Sequence, residues 1–241
     1  GKKIHQKCLG LKGVHIAVKL PDEFSDWGVF AFNSIGEPLY CLPGQGLHYI
    51  GLTRTKFVGN ESNVFATDEE IKWLVREINR VMPALSISTA DVLFSWAGIN
   101  PLTFDQNHEK GTRDIVIHDL KSEGLTGLFT LTGGAIMTHR RVARKFVKLA
   151  AAYLTPSNAS QIPNSQFKAS KNETNAPRLT SEHGSISIAE VERVTREEKV
   201  HNLSDVLMRR LGLGWMPDQG MGLARPVAEK MAPILGWHNE R

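Results

Sequence analysis

Cysteine is scarce in this chain, with two residues among 241, Cys8 and Cys41. They have no Cys-x-x-Cys spacing and no clustered histidines beside them, which argues against a disulfide framework or a thiolate metal site and for a reduced, cytoplasmic protein. Charge of one sign is also scarce. The excess is only +4, so nothing in the bulk charge supports a polyanion binder, and nucleic acid is not an expected partner. No apolar run approaches the roughly 18 residues of a membrane span, and "GKKIHQKCLG" lacks the form of a signal peptide. Gly1 followed by "KKIHQK" reads as an added terminal scar or as a cut inside a longer chain. Asn-x-Ser/Thr matches such as those at Asn60, Asn158 and Asn172 read as chance without a secretion signal. No Gly-x-Gly-x-x-Gly turn occurs, since "GQG" at Gly44 and "GLG" at Gly212 both lack the third glycine.

What is present is ordinary globular material, 41% apolar and 22% charged, in a length that supports one large core or two smaller ones. "GVHIAVKL" (Gly13 to Leu20) alternates as a half-buried strand does. "WGVFAFN", "PLYCLP" and "LHYIGLT" follow with Gly, Pro, Asn and Ser between them, which predicts an antiparallel sheet. "TDEEIKWLVREINRVMP" predicts a helix. Thr67 and Glu70 have capping-box spacing, Ile71, Leu74, Val75, Ile78 and Met82 share one face, and Pro83 ends it. "DVLFSWAGINPL", "RDIVIHDL" and "GLFTLT" return to strand character.

"LTGGAIMTHRRVARKF" places two glycines between an apolar strand and a basic helix running to about Leu154. Ile136, Ala143, Phe146, Val147, Ala150 and Leu154 recur at helical spacing and are expected to face a core. The basic residues between them, Arg140 among them, read as a solvated face. From 155 to 185 the composition turns to Ser, Asn, Thr, Pro and Lys, which predicts a mobile linker. "ISIAEVERVTREEK", "LSDVLMRRLGL" and "RPVAEKMAPILGW" then read as helices. The expected fold class is α+β: an antiparallel sheet with flanking helices over 1–154, the linker over 155–185, and a small all-α domain over 186–241. Trp73, Trp96 and Trp237 are expected in the cores.

These motifs, in this order, resemble the FAD-dependent glycerol-3-phosphate dehydrogenases within the D-amino-acid-oxidase-like flavoproteins. "LKGVHIAV" resembles the family's Lys-Gly-x-His strand, and "IGLTRTKF" its Ile-Gly-Thr-Thr-Asp segment. "WAGINPLT" is similar to Gly-x-Arg-Pro-Leu, "GTRDIVIHD" to the Arg-Asp strand, and "LTGGAIMTHRRVARK" to Gly-Gly-Lys-x-Thr-Thr-Tyr-Arg. "NLSDVLMRRLGLGW" and "VAEKMAPILGW" resemble signatures of the helical C-terminal domain. The resemblance implies the C-terminal part of an enzyme that oxidises glycerol 3-phosphate to dihydroxyacetone phosphate, passes electrons through FAD to a quinone, and works near a membrane surface. It also implies a partner, the N-terminal half that grips FAD. The chain alone is therefore expected to be inactive and not to hold FAD.

By the same resemblance Arg113 contacts substrate phosphate, for which a guanidinium offers two parallel hydrogen bonds. Gly133, Gly134, Ile136 and Thr138 line the cofactor, with bare amides and a helix N-terminus toward the negative end of the reduced ring. His15 is polar lining near the flavin. No catalytic residue is assigned. Taken without the family, the two glycines read as a tight turn that needs positive φ. Three positions depart from the family pattern. Asn100 stands where it has arginine, Ala135 where it has lysine, and Arg54 where it has aspartate. Arg54 compensates as a substrate-binding residue if it faces the same pocket. The departures keep two other readings open: a related flavoenzyme with a different substrate, or a non-catalytic interaction module built on the helical C-terminal unit.

Overall fold

The computed structural model describes residues 5–151, 153 and 177–238. Strand β1 (Cys8–Val18) lies in the middle of a seven-stranded antiparallel sheet. The other strands are β2 (Val29–Phe32), β3 (Pro38–Gly44), β4 (Leu47–Gly51), the short β5 (Thr55–Lys56), β6 (Val92–Asp105) and β7 (His108–Thr112). The order across the sheet is β2-β3-β4-β1-β6-β7, with β5 also on β1. β1 pairs with β6 along its whole length, and a bulge breaks the register between Ala17 and Val18.

The alternation of β1 decides what each face does. Val14, Ile16 and Val18 are fully buried and join Leu39 and Ile50 from the neighbouring strands. Helix α1 (Asp68–Val81) closes that face with Leu74, Val75 and Ile78. Each such side chain contributes about 1.5–3 kcal/mol by leaving water. The helix starts where the sequence places it. Thr67 Oγ1 accepts from the Glu70 amide, and the Glu70 carboxylate accepts from the Thr67 amide. Cys41 lies in this core, where burial pushes its thiol up to about 11 and keeps it unreactive.

One member of α1 has no local sequence signal. Glu77 is only 2% exposed. Its carboxylate accepts from both the amide and the hydroxyl of Ser34 at 2.7 Å and from Arg80 Nε at 3.1 Å. Burial alone would raise its pKa, yet these donors hold it below the usual value of 4.5. Glu77→Ala is expected to lower stability by about 2–3 kcal/mol, because Ser34 loses two charged acceptors and Arg80 its partner. The wild-type contribution is present above the unfolded pKa of 4.5 and disappears as pH falls through the lower folded value. Urea unfolding at neutral and acid pH checks both statements; equal midpoints for variant and wild type at neutral pH would contradict them.

β8 (Val116–Asp119) and β9 (Phe129–Thr132) form a separate hairpin. Gly133 and Gly134 then turn the chain into a 3-10 turn, Ile136–Thr138, and helix α2 (His139–Ala151). The expected core stripe of α2 is corrected here. Only Val142 is buried, whereas Ile136 is 85% and Val147 42% exposed. The stripe exists, but it faces a cavity instead of a packed layer.

The C-terminal unit has its own core, built from Val191, Val194, Val206, Leu213, Leu223, Val227 and Met231. It comprises α3 (Ile188–Glu197), a π-helical segment over Asp205–Arg210, and α4 (Met221–Leu235). The expectation of an all-α unit is corrected by a hairpin of β10 (Arg178–Thr180) and β11 (Ser185–Ser187) at its start. Leu179 and Ile186 of that hairpin pack on the helical core. They are single apolar residues in a polar stretch, which is why composition reads 177–185 as linker. The rest of the predicted linker, 155–176, lies outside the described residues.

Candidate functional site

The face of the sheet opposite α1 carries a row of aromatic rings. His15 stands across from Trp96 on β6 and from Gly51 on β4. The imidazole and indole stack with centroids 5.1 Å apart and planes within 5°. A β-carbon at residue 51 would lie 2.1 Å from the His15 ring, so glycine there gives the ring its place. Trp96 also meets Tyr49 at 5.4 Å and Trp215 of the C-terminal unit at 5.0 Å, both edge to face. The Tyr49 hydroxyl donates to the Trp215 carbonyl at 2.6 Å. This cluster is where the two cores meet. Trp96 is therefore half-buried at an inter-unit contact, not in a core as expected, while Trp73 and Trp237 do pack at the edges of their cores.

Beside His15 and Trp96 lies a cavity of about 420 Å³, lined also by Lys12, Thr53, Arg54, Asn100 and Arg113. Three cations reach it, but they differ in what they have left to offer. Lys12 Nζ donates to Glu70 at 2.7 Å and sits over the Phe65 ring. Arg54 Nη1 lies 3.2 Å from Glu37 Oε2, and Lys110 holds the other oxygen of that carboxylate at 2.7 Å. Oε2 receives no well-aligned hydrogen bond, so the Arg54 contact is an ion pair in charge more than in geometry. Arg113 is exposed, and its guanidinium has no partner among the described residues. It is the cation of the three with neither a hydrogen bond nor an ion pair from its side chain among the described residues. His15 is neutral at neutral pH, because burial lowers its pKa below 6.5.

A second cavity, of about 500 Å³, lies between the glycine turn and α2. Gly133, Gly134, Ala135, Ile136 and Thr138 line one side, and Val142, Phe146 and Val147 the other. Both glycines have positive φ, +72° and +84°. A β-carbon on Gly133 would lie 2.0 Å from the Asp114 carbonyl oxygen, and one on Gly134 would lie 2.9 Å from Ile115 Cγ1. Packing against the 113–115 segment is thus enough by itself to require glycine at both positions. No side chain caps the turn at Ala135, and the amides of Ile136 and Met137 have no acceptor among the described residues. The Thr138 amide and hydroxyl are both spent on the Ala135 carbonyl. Arg140 stands in the first turn of α2 and lines neither cavity.

Asn100 and Pro101 belong to both cavities, so the two adjoin. The fold thus brings His15, Arg54 and Arg113 to one chamber and Gly133, Gly134, Ile136 and Thr138 to the next. The substituted positions Asn100 and Ala135 lie on the walls, Asn100 at the junction. Sequence reading missed Trp96 as a cavity wall and Trp215 and Tyr49 behind it. The wide spacing of aromatic residues along the chain gives no hint that they meet.

These cavities have an apolar stripe, two amides without an acceptor among the described residues, and an adjoining cationic chamber. Residues 1–149 match the model of the FAD dependent oxidoreductase family, and residues 137–241 match that of the C-terminal domain of alpha-glycerophosphate oxidase. A glycerol-3-phosphate dehydrogenase from Synechocystis sp. is 35% identical over 149 residues, which is 59% of this chain and 26% of that protein. An aerobic glycerol-3-phosphate dehydrogenase from Staphylococcus saprophyticus is 30% identical over 141 residues, 57% of this chain and 25% of its own length. The chain therefore spans about a quarter of the length of the curated relatives it matches. A crystal structure of the glycerol-3-phosphate dehydrogenase from Bacillus halodurans complexed with FAD is 29% identical, covers 62% of this chain and 28% of that one, and superposes with a TM-score of 0.49.

Proposed function

The chain belongs to the FAD-dependent oxidoreductase family, and on that premise we propose that it supplies the substrate-binding part of a glycerol-3-phosphate dehydrogenase. The reaction is oxidation of glycerol 3-phosphate to dihydroxyacetone phosphate. The observation that carries this reading is the Arg113 guanidinium, without a partner among the described residues, on a cavity that adjoins the glycine turn. FAD, when bound, would supply the hydride acceptor for this oxidation. The residues present suit one end of such a group: the Ile136 and Met137 amides can face the oxygens of its ring, and the Val142, Phe146 and Val147 stripe can cover its apolar surface. Nothing among the described residues suits the pyrophosphate, which falls to the N-terminal half that the resemblance implies.

Arg113 binds the phosphate through two parallel N–H donors. His15, neutral and beside it, is able to take the proton of the substrate hydroxyl. Trp96, Leu52 and Ile99 give the chamber apolar walls. Because the His15 pKa lies below 6.5, the imidazole stays neutral at that pH. Activity that depends on it is expected to fall only at more acid pH, and His15→Asn is expected to remove that acid limb. A pH profile of kcat/KM decides it, and an unchanged limb in the variant would exclude His15 as the base.

The resemblance extends the reading to a quinone as electron acceptor and to a membrane surface as the place of work. Among the described residues no helix is long and apolar enough to cross a membrane. A second reading, a related flavoenzyme with another substrate, is favoured by the neutral Asn100 at the junction of the cavities. Titration of the chain with glycerol 3-phosphate and with glycerol, followed by the Arg113 side-chain NMR signal, separates the two. The first ligand is expected to shift the signal saturably and the second to leave it in place. Equal responses would remove phosphate recognition from Arg113.

A further inference from the structure

We propose that His118, Thr132 and Thr103 form an oriented hydrogen-bond chain that clamps the Arg113–Asp114 backbone against the glycine turn and thereby fixes the Arg113 guanidinium at its cavity. The three are positioning residues, and their effect on anion binding rests on the reading of Arg113 given above.

Thr103 and Thr132 are buried polar residues, 7% and 6% exposed. Thr103 Oγ1 lies 2.7 Å from the Asp114 carbonyl and 2.8 Å from Thr132 Oγ1, which lies 2.9 Å from His118 Nε2. The direction of every proton follows. A carbonyl only accepts, so the single Thr103 proton goes to Asp114. Thr103 must then accept from Thr132, whose proton is used in doing so. Thr132 therefore accepts from His118, and His118 carries its proton on Nε2. The reverse direction would spend the Thr103 proton on Thr132 and leave Thr103 Oγ1 facing the Asp114 carbonyl at 2.7 Å with no proton between them.

The chain ends at a place that matters. The Asp114 carbonyl held by Thr103 is the atom against which Gly133 packs, and the preceding carbonyl, that of Arg113, accepts from the Gly134 amide at 2.9 Å. Two consecutive carbonyls are fixed, one from the interior of the sheet and one from the turn. The Arg113 Cα is bonded directly to the first of these fixed carbonyls in the chain, with its side chain toward one cavity while the turn lines the other. A guanidinium on a long flexible stem gains definition from a rigid backbone beneath it, and less freedom is then lost when it binds an anion.

The test uses the full chain with Thr103→Val, Thr103→Ser, Thr132→Val and Arg113→Ala. Hydrogen exchange at the Gly134 amide reads the clamp, and titration with inorganic phosphate reads the anion site. Thr103→Val is expected to speed Gly134 exchange and to weaken phosphate binding about tenfold each, or ~1.4 kcal/mol. The Leu74 amide in the α1 core should stay protected, and Thr103→Ser should restore both readings to within about twofold. Thr132→Val keeps the Asp114 bond but leaves the His118 N–H without an acceptor, so it should give smaller shifts, about threefold. Unchanged Gly134 exchange in both valine variants would overturn the clamp. Faster exchange with unchanged phosphate binding, where Arg113→Ala does weaken it, would overturn its positioning role. If Arg113→Ala leaves phosphate binding intact, the anion-site reading fails, and Gly134 exchange still decides whether the clamp exists.

Discussion

Gly133→Ala is expected to lower stability by about 3–5 kcal/mol, at the upper end of what a single methyl group does. Two costs combine. The backbone at residue 133 has φ +72°, where an L residue loses about 1–2 kcal/mol. The new β-carbon would also meet the Asp114 carbonyl at 2.0 Å and Thr103 Oγ1 at 2.7 Å. A carbonyl held by a hydrogen bond cannot swing away as the tip of a side chain can, so the turn itself must move. Gly127 provides the control, because its φ is +78° but nothing lies within 4 Å of the place a methyl group would take. Gly127→Ala should therefore show the backbone cost alone, about 1–2 kcal/mol. Urea midpoints of the two variants measure the difference; equal losses would mean that the contact with Asp114 is not tight.

Arg113→Ala is expected to lower kcat/KM for glycerol 3-phosphate by roughly 10- to 150-fold, the equivalent of about 1.5–3 kcal/mol for a lost charged hydrogen-bond pair. Arg54→Ala should cost less, although Arg54 lines the same chamber. Its charge already faces Glu37, which Lys110 also meets. Removing Arg54 relieves one ion pair as it deletes one cation, whereas removing Arg113 deletes a cation that has no other partner among the described residues. Kinetics of the flavin-loaded protein rank the two. An Arg54 effect larger than that of Arg113 would move the anion site toward Glu37.

The parts legible in the sequence are those whose cause is local. The Thr67–Glu70 box and the Leu74, Val75, Ile78 face fix α1 within its own residues. The alternation of β1 correctly separates Val14, Ile16 and Val18 from His15, since a strand has only two faces. What is not legible depends on distant partners. Glu77 reads as a solvated helix residue until Ser34 is found above it. The α2 stripe has the period of a core face, and periodicity cannot say whether the surface opposite is protein or a cavity. The Leu179 and Ile186 hairpin is hidden by the polar residues around it. For the site, the resemblance supplies the residues and the fold supplies their grouping. That Arg54 is paired, and that Arg113 has no partner among the described residues, becomes visible only once Glu37 and Lys110 are placed.

The most direct test of the central claim is anaerobic mixing of glycerol 3-phosphate, and separately glycerol, with this chain assembled with an FAD-binding half and loaded with FAD, while the flavin absorbance is followed. Recognition of a phosphorylated polyol through Arg113 predicts that glycerol 3-phosphate bleaches the flavin, that glycerol at the same concentration does not, and that Arg113→Ala narrows the difference. Equal bleaching by both compounds, or an unbleached flavin with glycerol 3-phosphate in a preparation that holds FAD, would contradict it.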